Sequence, residues 1–421
     1  MFKEFFVSTV VIGGGVIGLN IAWSLRRRGE EVCVLEHSAI GRSVSAVNAG
    51  WITPSLSTPL ASPGVFTLGL KHAFDRDGAL SIRPKLDTEW IKWLWKFRRA
   101  ARPDVYETGV RALFHLNAQT LDLFDELHDD GVDFEMHQAG LLALAQTPGG
   151  LGWFTQLFDQ LLPMGFTGKI DYLTGSEARE LDPAVGTSVS SAVLTSLDRH
   201  VNPESLLCGL HKRIDEMGVL VRENTSAQKL TRNGSSWSVE TAEGNLSADN
   251  VVVALGAATN TVLRPLGITL PIVGAKGYSI DLGGAGALPQ HSLYLMEPKL
   301  GLSPYLDTVR IAGAFELPAN DESITNRRIR NLVDQARPYL SGWTPDADLD
   351  ISTGRAGLRP STPDSLPFIG PLPGHNSLFV AAGHGMLGVT LAPATAEGIA
   401  ELVTSNSLPS HLLPFQLAGR I

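Results

Sequence analysis

Near its start the chain runs Thr9-Val10-Val11-Ile12-Gly13-Gly14-Gly15-Val16-Ile17-Gly18-Leu19. A β-branched apolar run enters a Gly-x-Gly-x-x-Gly turn made by Gly13, Gly15 and Gly18, and a helical pattern follows from Ile17 to Arg28. A second strand, Glu31 to Leu35, ends at Glu36, eighteen residues beyond Gly18. Strand, glycine turn, helix, strand and acid in that order are the βαβ fingerprint of a dinucleotide site. Gly13 permits the tight turn, Gly15 lets the backbone approach a pyrophosphate, and Gly18 lets helix and strand pack closely. The helix N-terminus, beginning at Val16 and Ile17, faces the phosphates. Glu36, with His37 beside it, accepts from the ribose hydroxyls and favours a free 2′-hydroxyl over a 2′-phosphate. A glycine-rich turn with no ligand is the plain alternative, and the motif by itself leaves NAD and FAD open.

The 421 residues suffice for two substantial domains, since single cores split beyond about 250–300 residues. A formal charge of −9 argues against a nucleic-acid partner, which selects a basic face. Two cysteines, Cys33 and Cys208, cannot build a disulfide framework and fit a reducing compartment; both read as small core residues. The apolar stretch from Phe5 to Leu19 is broken by Ser8, Thr9 and three glycines, so it reads as a first strand and not as an export signal. No run of about 18 apolar residues follows. The expected location is cytoplasmic.

After Glu36, Gly41-Arg42-Ser43-Val44-Ser45-Ala46-Val47-Asn48-Ala49-Gly50 is small and polar, leaving backbone N–H groups free for a second anion-binding wall; an ordinary surface loop is the other reading. From Thr88 to about Leu144 the pattern is mainly helical. Its segment Trp90 to Arg99 mixes tryptophan with positive charge. Such a helix either rests on an anionic membrane surface or, the reading favoured here, buries an amphipathic face and solvates a basic one. Strands are expected near Gly140–Ala145 and Ser190–Leu194, then a helix from Pro203 to about Met217 capped by Asn202. Further strands, Gly218–Glu223, Ala227–Thr231 and Ser236–Thr241, lead to Asp249–Ala257, which reads as a central parallel strand buried on both faces with Gly256 at the crevice edge. Alternating stretches from Pro271 to Glu316 point to a second, more antiparallel sheet, and Thr325 to Tyr339 is helical.

The last third is the densest in signal. In Gly357-Leu358-Arg359-Pro360-Ser361-Thr362-Pro363-Asp364 the prolines hold the backbone extended. Arg359 therefore projects a rigid fork of donors suited to a carboxylate, or sits in a structural ion pair. A short strand, Ser377 to Gly383, turns through His384-Gly385-Met386-Leu387-Gly388 into a helix from Val389 to Ser405. The N–H groups around Gly388 and Thr390 point along that helix dipole and suit a ring that gains negative charge on reduction. His384 reads either as a base or as a locally bonded helix-entry histidine.

Together, Gly13/Gly15/Gly18 with Glu36, Ser45-x-x-Asn48-Ala49-Gly50, Val251–Gly256, Gly357-Leu358-Arg359-Pro360-x-Thr362-Pro363-Asp364 and Gly383-His384-Gly385-x-Leu387-Gly388 resemble the D-amino-acid oxidase superfamily of FAD flavoproteins. The loop and the last turn are most similar to its D-amino acid dehydrogenase branch (small-subunit type). The likeness runs from Val10 to about Val403. It implies an α/β fold with an α+β cap: a Rossmann-like FAD-binding domain and a discontinuous substrate/cap domain on a mixed, largely antiparallel sheet. Residues 1–85, 195–265 and 350–421 are expected in the first, and 86–194 and 266–349 in the second. It also implies noncovalent FAD, since no cysteine stands between Gly383 and Gly388, and no metal. Ser45, Asn48, Ala49, Gly50, Gly256, Gly383, Gly385, Met386, Leu387, Gly388 and Thr390 would face the cofactor. Arg359 would hold a substrate carboxylate, with Tyr278 and Tyr305 as pocket-closing candidates that core packing explains equally well.

The implied activity is oxidative deamination of a D-amino acid by hydride transfer from its α-carbon to flavin N5, with electrons passed to a quinone or to oxygen. The alternatives are a secondary-amine or imino-acid enzyme (glycine, sarcosine, D-proline or hydroxyproline), an NAD dehydrogenase and a non-enzymatic FAD subunit. A homo-oligomer and peripheral contact with the inner membrane face through Trp90–Arg99 stand as further expectations. Ser365 in place of the usual glycine after Thr-Pro-Asp is a departure from the pattern.

Overall fold

The computed structural model describes residues 5–65, 78–83, 85–283, 288–342 and 350–420. Seven strands and four helices frame the candidate site: β1 (Phe5–Ile12), α1 (Val16–Arg27), β2 (Val32–Leu35), α2 (Thr88–Ala100), α3 (Pro203–Glu216), β3 (Gly244–Val253), β4 (Val273–Gly283), β5 (Thr308–Ala319), β6 (Arg355–Ser361), β7 (His375–Ala382) and α4 (Gly388–Ser405).

In the first sheet β1 lies between β2 and β3, parallel to both, with Val10 opposite Cys33 on one side and Val251 on the other. The segment Leu220–Arg222 extends it beyond β2, and β7 beyond β3, again in parallel. Val10, Val11, Val34 and Val251–Val253 are fully buried, as expected for parallel strands covered on both faces. One face packs on α1, α3 and α4. The other meets an apolar layer around Trp237, Val262 and Leu263. α1 is tied to α4 by an Arg28–Glu397 ion pair at 2.7 Å.

β3 begins five residues before the expected Asp249. One edge runs parallel to β1 from Leu246 to Val253; on the other edge the first half pairs antiparallel with Ser236–Thr241, and only Val251–Val253 meets β7.

The second sheet is mixed and mostly antiparallel. Its order is β6, β4, β5, Leu300–Pro304, Ser292–Leu295, Leu141–Ala145, Ser191–Thr195 and Ile170–Thr174, with Leu80–Ile82 also on β5. Most neighbours are antiparallel, but Ser292–Leu295 runs parallel to Leu141–Ala145. β6 therefore belongs to this sheet, although it falls within the 350–421 range expected in the first domain. A small third sheet, Trp51–Ile52, Arg199–Val201 and Met136–His137, has no counterpart in the sequence reading; its strands are too short to show a period. Residues 66–77 of the expected 1–85 segment lie outside the described residues.

The helical stretch after Thr88 ends at Asp129, sooner than expected, and α3 has its Asn202 cap, whose side chain accepts from the Glu204 and Ser205 amides. Trp90, Trp93, Phe97 and Ala100 of α2 are buried while Ile91 and Trp95 face outward, in keeping with a buried amphipathic face. Cys33 is buried, but Cys208 is exposed, a correction: it falls on the outer side of α3, which packs inward through Leu206, Leu207 and Leu210.

A Cβ on Gly18 would collide with the Gly13 carbonyl oxygen, so α1 sits as close to β1 as a glycine allows. We expect Gly18→Ala to cost about 1–3 kcal/mol through overpacking, read as a lower urea midpoint. Gly149→Ala, where a Cβ meets nothing within 4 Å, should leave the midpoint within about 0.5 kcal/mol of the parent.

Candidate active site

A cavity of about 980 Å³ opens at the carboxyl ends of the parallel strands, where α/β sheets bind ligands. It is at the large end of ligand pockets, about 300–1,000 Å³. Gly13, Gly15, Val16, Ile17, Glu36, His37, Ser45, Asn48 and Gly256 line it, together with Arg359, His384, Gly385, Met386 and Gly388. Gly18, Ala49, Gly50, Gly383, Leu387 and Thr390 stand behind that lining. So do Tyr278 and Tyr305.

The glycine turn owes its shape to long-range partners. Gly13 has φ +116°, and a side chain there would strike the Ala254 backbone. Glu36 Oε2 accepts from the Gly14 amide at 2.7 Å, and Oε1 from the Ser38 amide and hydroxyl, both at 3.0 Å. The carboxylate thus already holds the turn that it borders. Ser45 Oγ accepts from the Val16 amide at 3.1 Å, tying the loop to the first turn of α1. Asn48 braces the loop internally, donating to the Ser45 carbonyl at 2.5 Å and accepting from the Gly50 amide at 2.6 Å.

The loop is also gripped from the second sheet. Arg310 on β5, 1% exposed, donates to the Ala46 and Asn48 carbonyls at 2.7 and 3.1 Å. Its other nitrogens form a two-point pair with Asp281 of β4 at 2.6 and 2.8 Å. Ser303 and Tyr305 donate to the Ala49 carbonyl at 2.6 and 3.2 Å. Tyr305 is thereby spent on the loop, and burial pushes its hydroxyl pKa far up. Tyr278 packs in the second sheet's apolar core with Ile280, Leu302 and Ile311. Its neighbour Gly277 lines the cavity, and successive strand residues face opposite ways. Neither tyrosine is brought to the pocket. Arg310 was missed, although a lone arginine inside Val309-Arg310-Ile311-Ala312 was the signal.

Arg359 on β6 reaches into the cavity against Gly277, where a Cβ would overlap its guanidinium. It donates to the Ala314 carbonyl at 2.9 Å and lies 5.6 Å from the Phe315 ring centroid. Among the described residues no carboxylate pairs with it. Burial lowers its pKa to about 10, so it stays charged at neutral pH while short of a counter-ion. His384, 3% exposed, meets the Thr395 hydroxyl at 3.1 Å, and burial pushes its pKa down to about 3. It is a neutral, locally bonded histidine and a poor base.

These residues fit a flavin dinucleotide. Gly15 leaves the Ser43 and Ser45 hydroxyls converging above the start of α1, 3.7 and 3.1 Å from where a Cβ would sit. Neither α1 nor α4 is capped by the side chain of its N-cap residue, and although Ser45 takes the Val16 amide, the first turns of both helices line the same cavity and turn their positive dipole ends to one ligand. Thr390 anchors the start of α4, donating to the Trp51 carbonyl at 2.9 Å and accepting from the Thr53 amide at 3.3 Å. No cysteine lines the cavity.

A family model described as FAD dependent oxidoreductase (DAO) matches residues 8–402. The chain is 27% identical over 395 residues to a D-amino acid dehydrogenase of Helicobacter pylori, covering 93% of this chain and 94% of the relative. Its fold is similar to glycine oxidase from Geobacillus kaustophilus (TM-score 0.77, 22% identity, 99% of this chain and 100% of that one). It is also similar in fold to L-proline dehydrogenase from P. horikoshii (TM-score 0.72, 20% identity, 96% and 95%).

Two outcomes are expected. Arg310→Ala, which strands two loop carbonyls and leaves Asp281 with Arg355 alone, should cost about 2–4 kcal/mol and release flavin during gel filtration. Stability should also fall on acidification. His384 and His200, the latter pushed down to about 4 by burial, are charged near pH 6.5 only when unfolded, so the unfolded chain gains protons and stability declines below that pH. Asp198, raised by burial to about 6, works the other way in the same window, but one carboxylate opposes two histidines. Urea midpoints between pH 7 and 5 should drop, and drop less in His384→Asn.

Proposed function

Because the chain belongs to the DAO family of FAD dependent oxidoreductases, we propose that it oxidises the α C–N bond of a D-amino acid. The product is an imino acid, which water converts to a 2-oxo acid and ammonia. The observation that carries this reading is Arg359: a cation half-buried at the cavity and without a carboxylate partner among the described residues. Charged groups stripped of water gain most from an incoming counter-ion, and a planar fork suits a carboxylate. The relatives named D-amino acid dehydrogenase support the same substrate class.

FAD, when bound, supplies the acceptor for a hydride from the substrate α-carbon. The chain's own residues bind and orient. Arg359 holds the carboxylate, and Gly277 leaves room for its guanidinium. The uncapped start of α4 provides N–H groups and a dipole for charge that develops as the reaction proceeds. Gly13, Gly15, Ser45 and Glu36 secure the dinucleotide end. His384, kept neutral by burial and bonded to the Thr395 hydroxyl, does not serve as the base for the substrate amine. The neutral amine is therefore drawn from solution. Electrons leave to a quinone or to oxygen, and the outward Ile91 and Trp95 of α2, set among Lys92, Arg98 and Arg99, support an acceptor met at a membrane surface.

Anaerobic titration of the purified yellow protein with paired D- and L-amino acids, sarcosine and D-proline tests the assignment. Bleaching of the visible flavin band by D-isomers is expected; bleaching by sarcosine or D-proline alone would move the assignment to secondary amines. Arg359→Ala should lower kcat/KM about 10–100-fold, the loss of a charge-assisted hydrogen bond worth about 1.5–3 kcal/mol, with flavin content unchanged. kcat/KM should rise with pH as the substrate ammonium deprotonates, and that limb should persist in His384→Asn.

A further inference from the structure

Both contacts that set the direction of the Arg359 guanidinium come from adjacent residues of β5. The Ala314 carbonyl accepts from it at 2.9 Å, and the Phe315 ring centroid lies 5.6 Å away, within cation–π range. Its other N–H groups meet no acceptor among the described residues. Ala314 and Phe315 interrupt the regular ladder. Tyr278 stands opposite Gly313 and Lys276 opposite Glu316, so β5 advances three residues where β4 advances two. This is a β-bulge, which adds one residue to a strand and re-aims the groups beside it. Ala314 there adopts φ +60°, and the four other described non-glycine residues with positive φ all lie outside strands. Alanine enters that conformation at a cost that glycine does not bear, and such strain gathers at functional sites.

The backbone around Arg359 is fastened independently of the bulge. β6 is an edge strand of the second sheet, yet partners outside that sheet hold it on both sides of Arg359. Before it, the Leu358 amide donates to Glu322 at 3.3 Å. After it, the Pro360 carbonyl accepts from the Gly385 amide at 2.9 Å. The segment that carries Glu322 is itself anchored by the buried Lys276, which donates to Asp321 at 2.6 Å and to the Ser323 hydroxyl at 3.1 Å. With the backbone held, the remaining freedom is in the long side chain, and Gly277 leaves that side chain room.

We propose that the bulge at Ala314 positions Arg359 for its substrate. The Ala314 carbonyl takes one guanidinium nitrogen and the Phe315 ring flanks the group, so the rest of the fork stays free for a carboxylate. This rests on the reading of Arg359 as the carboxylate anchor of a D-amino acid oxidoreductase. Alanine at the bulge allows the backbone fewer conformations than glycine would, which keeps the carbonyl in place before substrate arrives. A fork oriented in advance binds more tightly than one that must be ordered on binding.

The holoenzyme carrying Ala314→Gly tests this. Glycine adopts the bulge conformation without strain, so the melting temperature should hold or rise. Carboxylate binding should nevertheless weaken. Dissociation constants of propanoate and pyruvate, read from the shift of the visible flavin band, should rise about 3- to 10-fold, the worth of one hydrogen bond. KM for the D-amino acid that bleaches the flavin fastest should rise with them while kcat moves little. In an Arg359→Lys background, where no fork remains to be aimed, the same substitution should change these constants less than about two-fold, because the two residues act as one unit. Unchanged carboxylate affinity in Ala314→Gly would overturn the inference. So would an equal loss in both backgrounds, or a melting temperature that falls together with affinity, since either makes the bulge a structural element alone. A wild-type holoenzyme that binds neither carboxylate and is bleached by no D-amino acid would overturn the reading of Arg359, and the inference with it.

Discussion

A buried guanidinium is the central one of several ties between the two large sheets of this molecule. The loop Ser45–Gly50 is made of small residues whose carbonyls must find donors once they are covered, and the first sheet does not supply them. Arg310 does, from the middle of β5, with Asp281 fixing its orientation from β4. Burying such a cation is costly unless its nitrogens are occupied; here two bind a carboxylate and a third binds two loop carbonyls. Arg355 on β6 extends the network to Asp281 at 3.2 Å and to Glu204 at the start of α3. The cavity wall that carries Ser45 and Asn48 is therefore set by strands of the other sheet.

That arrangement explains what the sequence disclosed and what it withheld. The glycine turn, Glu36, the apolar end of β3, Arg359 and the start of α4 announce themselves through local patterns: a spacing, a β-branched run, a proline-locked extension. The fold class followed from them. The grip on the loop did not, because Arg310 and Ala46 are separated by most of the chain and no local pattern links them. Tyr278 shows the opposite failure. Its residue type suggested a pocket, but the alternation of a strand sends it to the core while Gly277 takes the cavity side. The start of β3 was missed because Gly244–Asp249 reads as a polar hairpin arm, which it is, continued into a buried strand.

Ser365 illustrates how a departure from a family pattern can be absorbed. Its backbone adopts φ +62°, a conformation that glycine takes freely and serine enters at some cost. Its hydroxyl repays this by accepting from the Leu60 and Ala61 amides at 3.0 and 3.3 Å. Ala61 packs in the same cluster as Trp90, Trp93 and Phe315. The substitution so links the segment after Arg359 to the backbone behind that cluster, a tie that glycine has no atom to make.

The division of β3 between two neighbours bears on how the chain is made. Its first half meets a hairpin partner that lies just before it in sequence, a contact that closes at small entropic cost. Its second half waits for β7, more than a hundred residues later, and α4 then completes the site with its N-terminus. A chain still on the ribosome can finish the hairpin but cannot finish the crevice. Until the residues of β7 and α4 emerge, the inner edge of β3 is an unpaired apolar strand of the kind that misassociates. Only a chain translated through its last long helix has both helix N-termini that line the cavity.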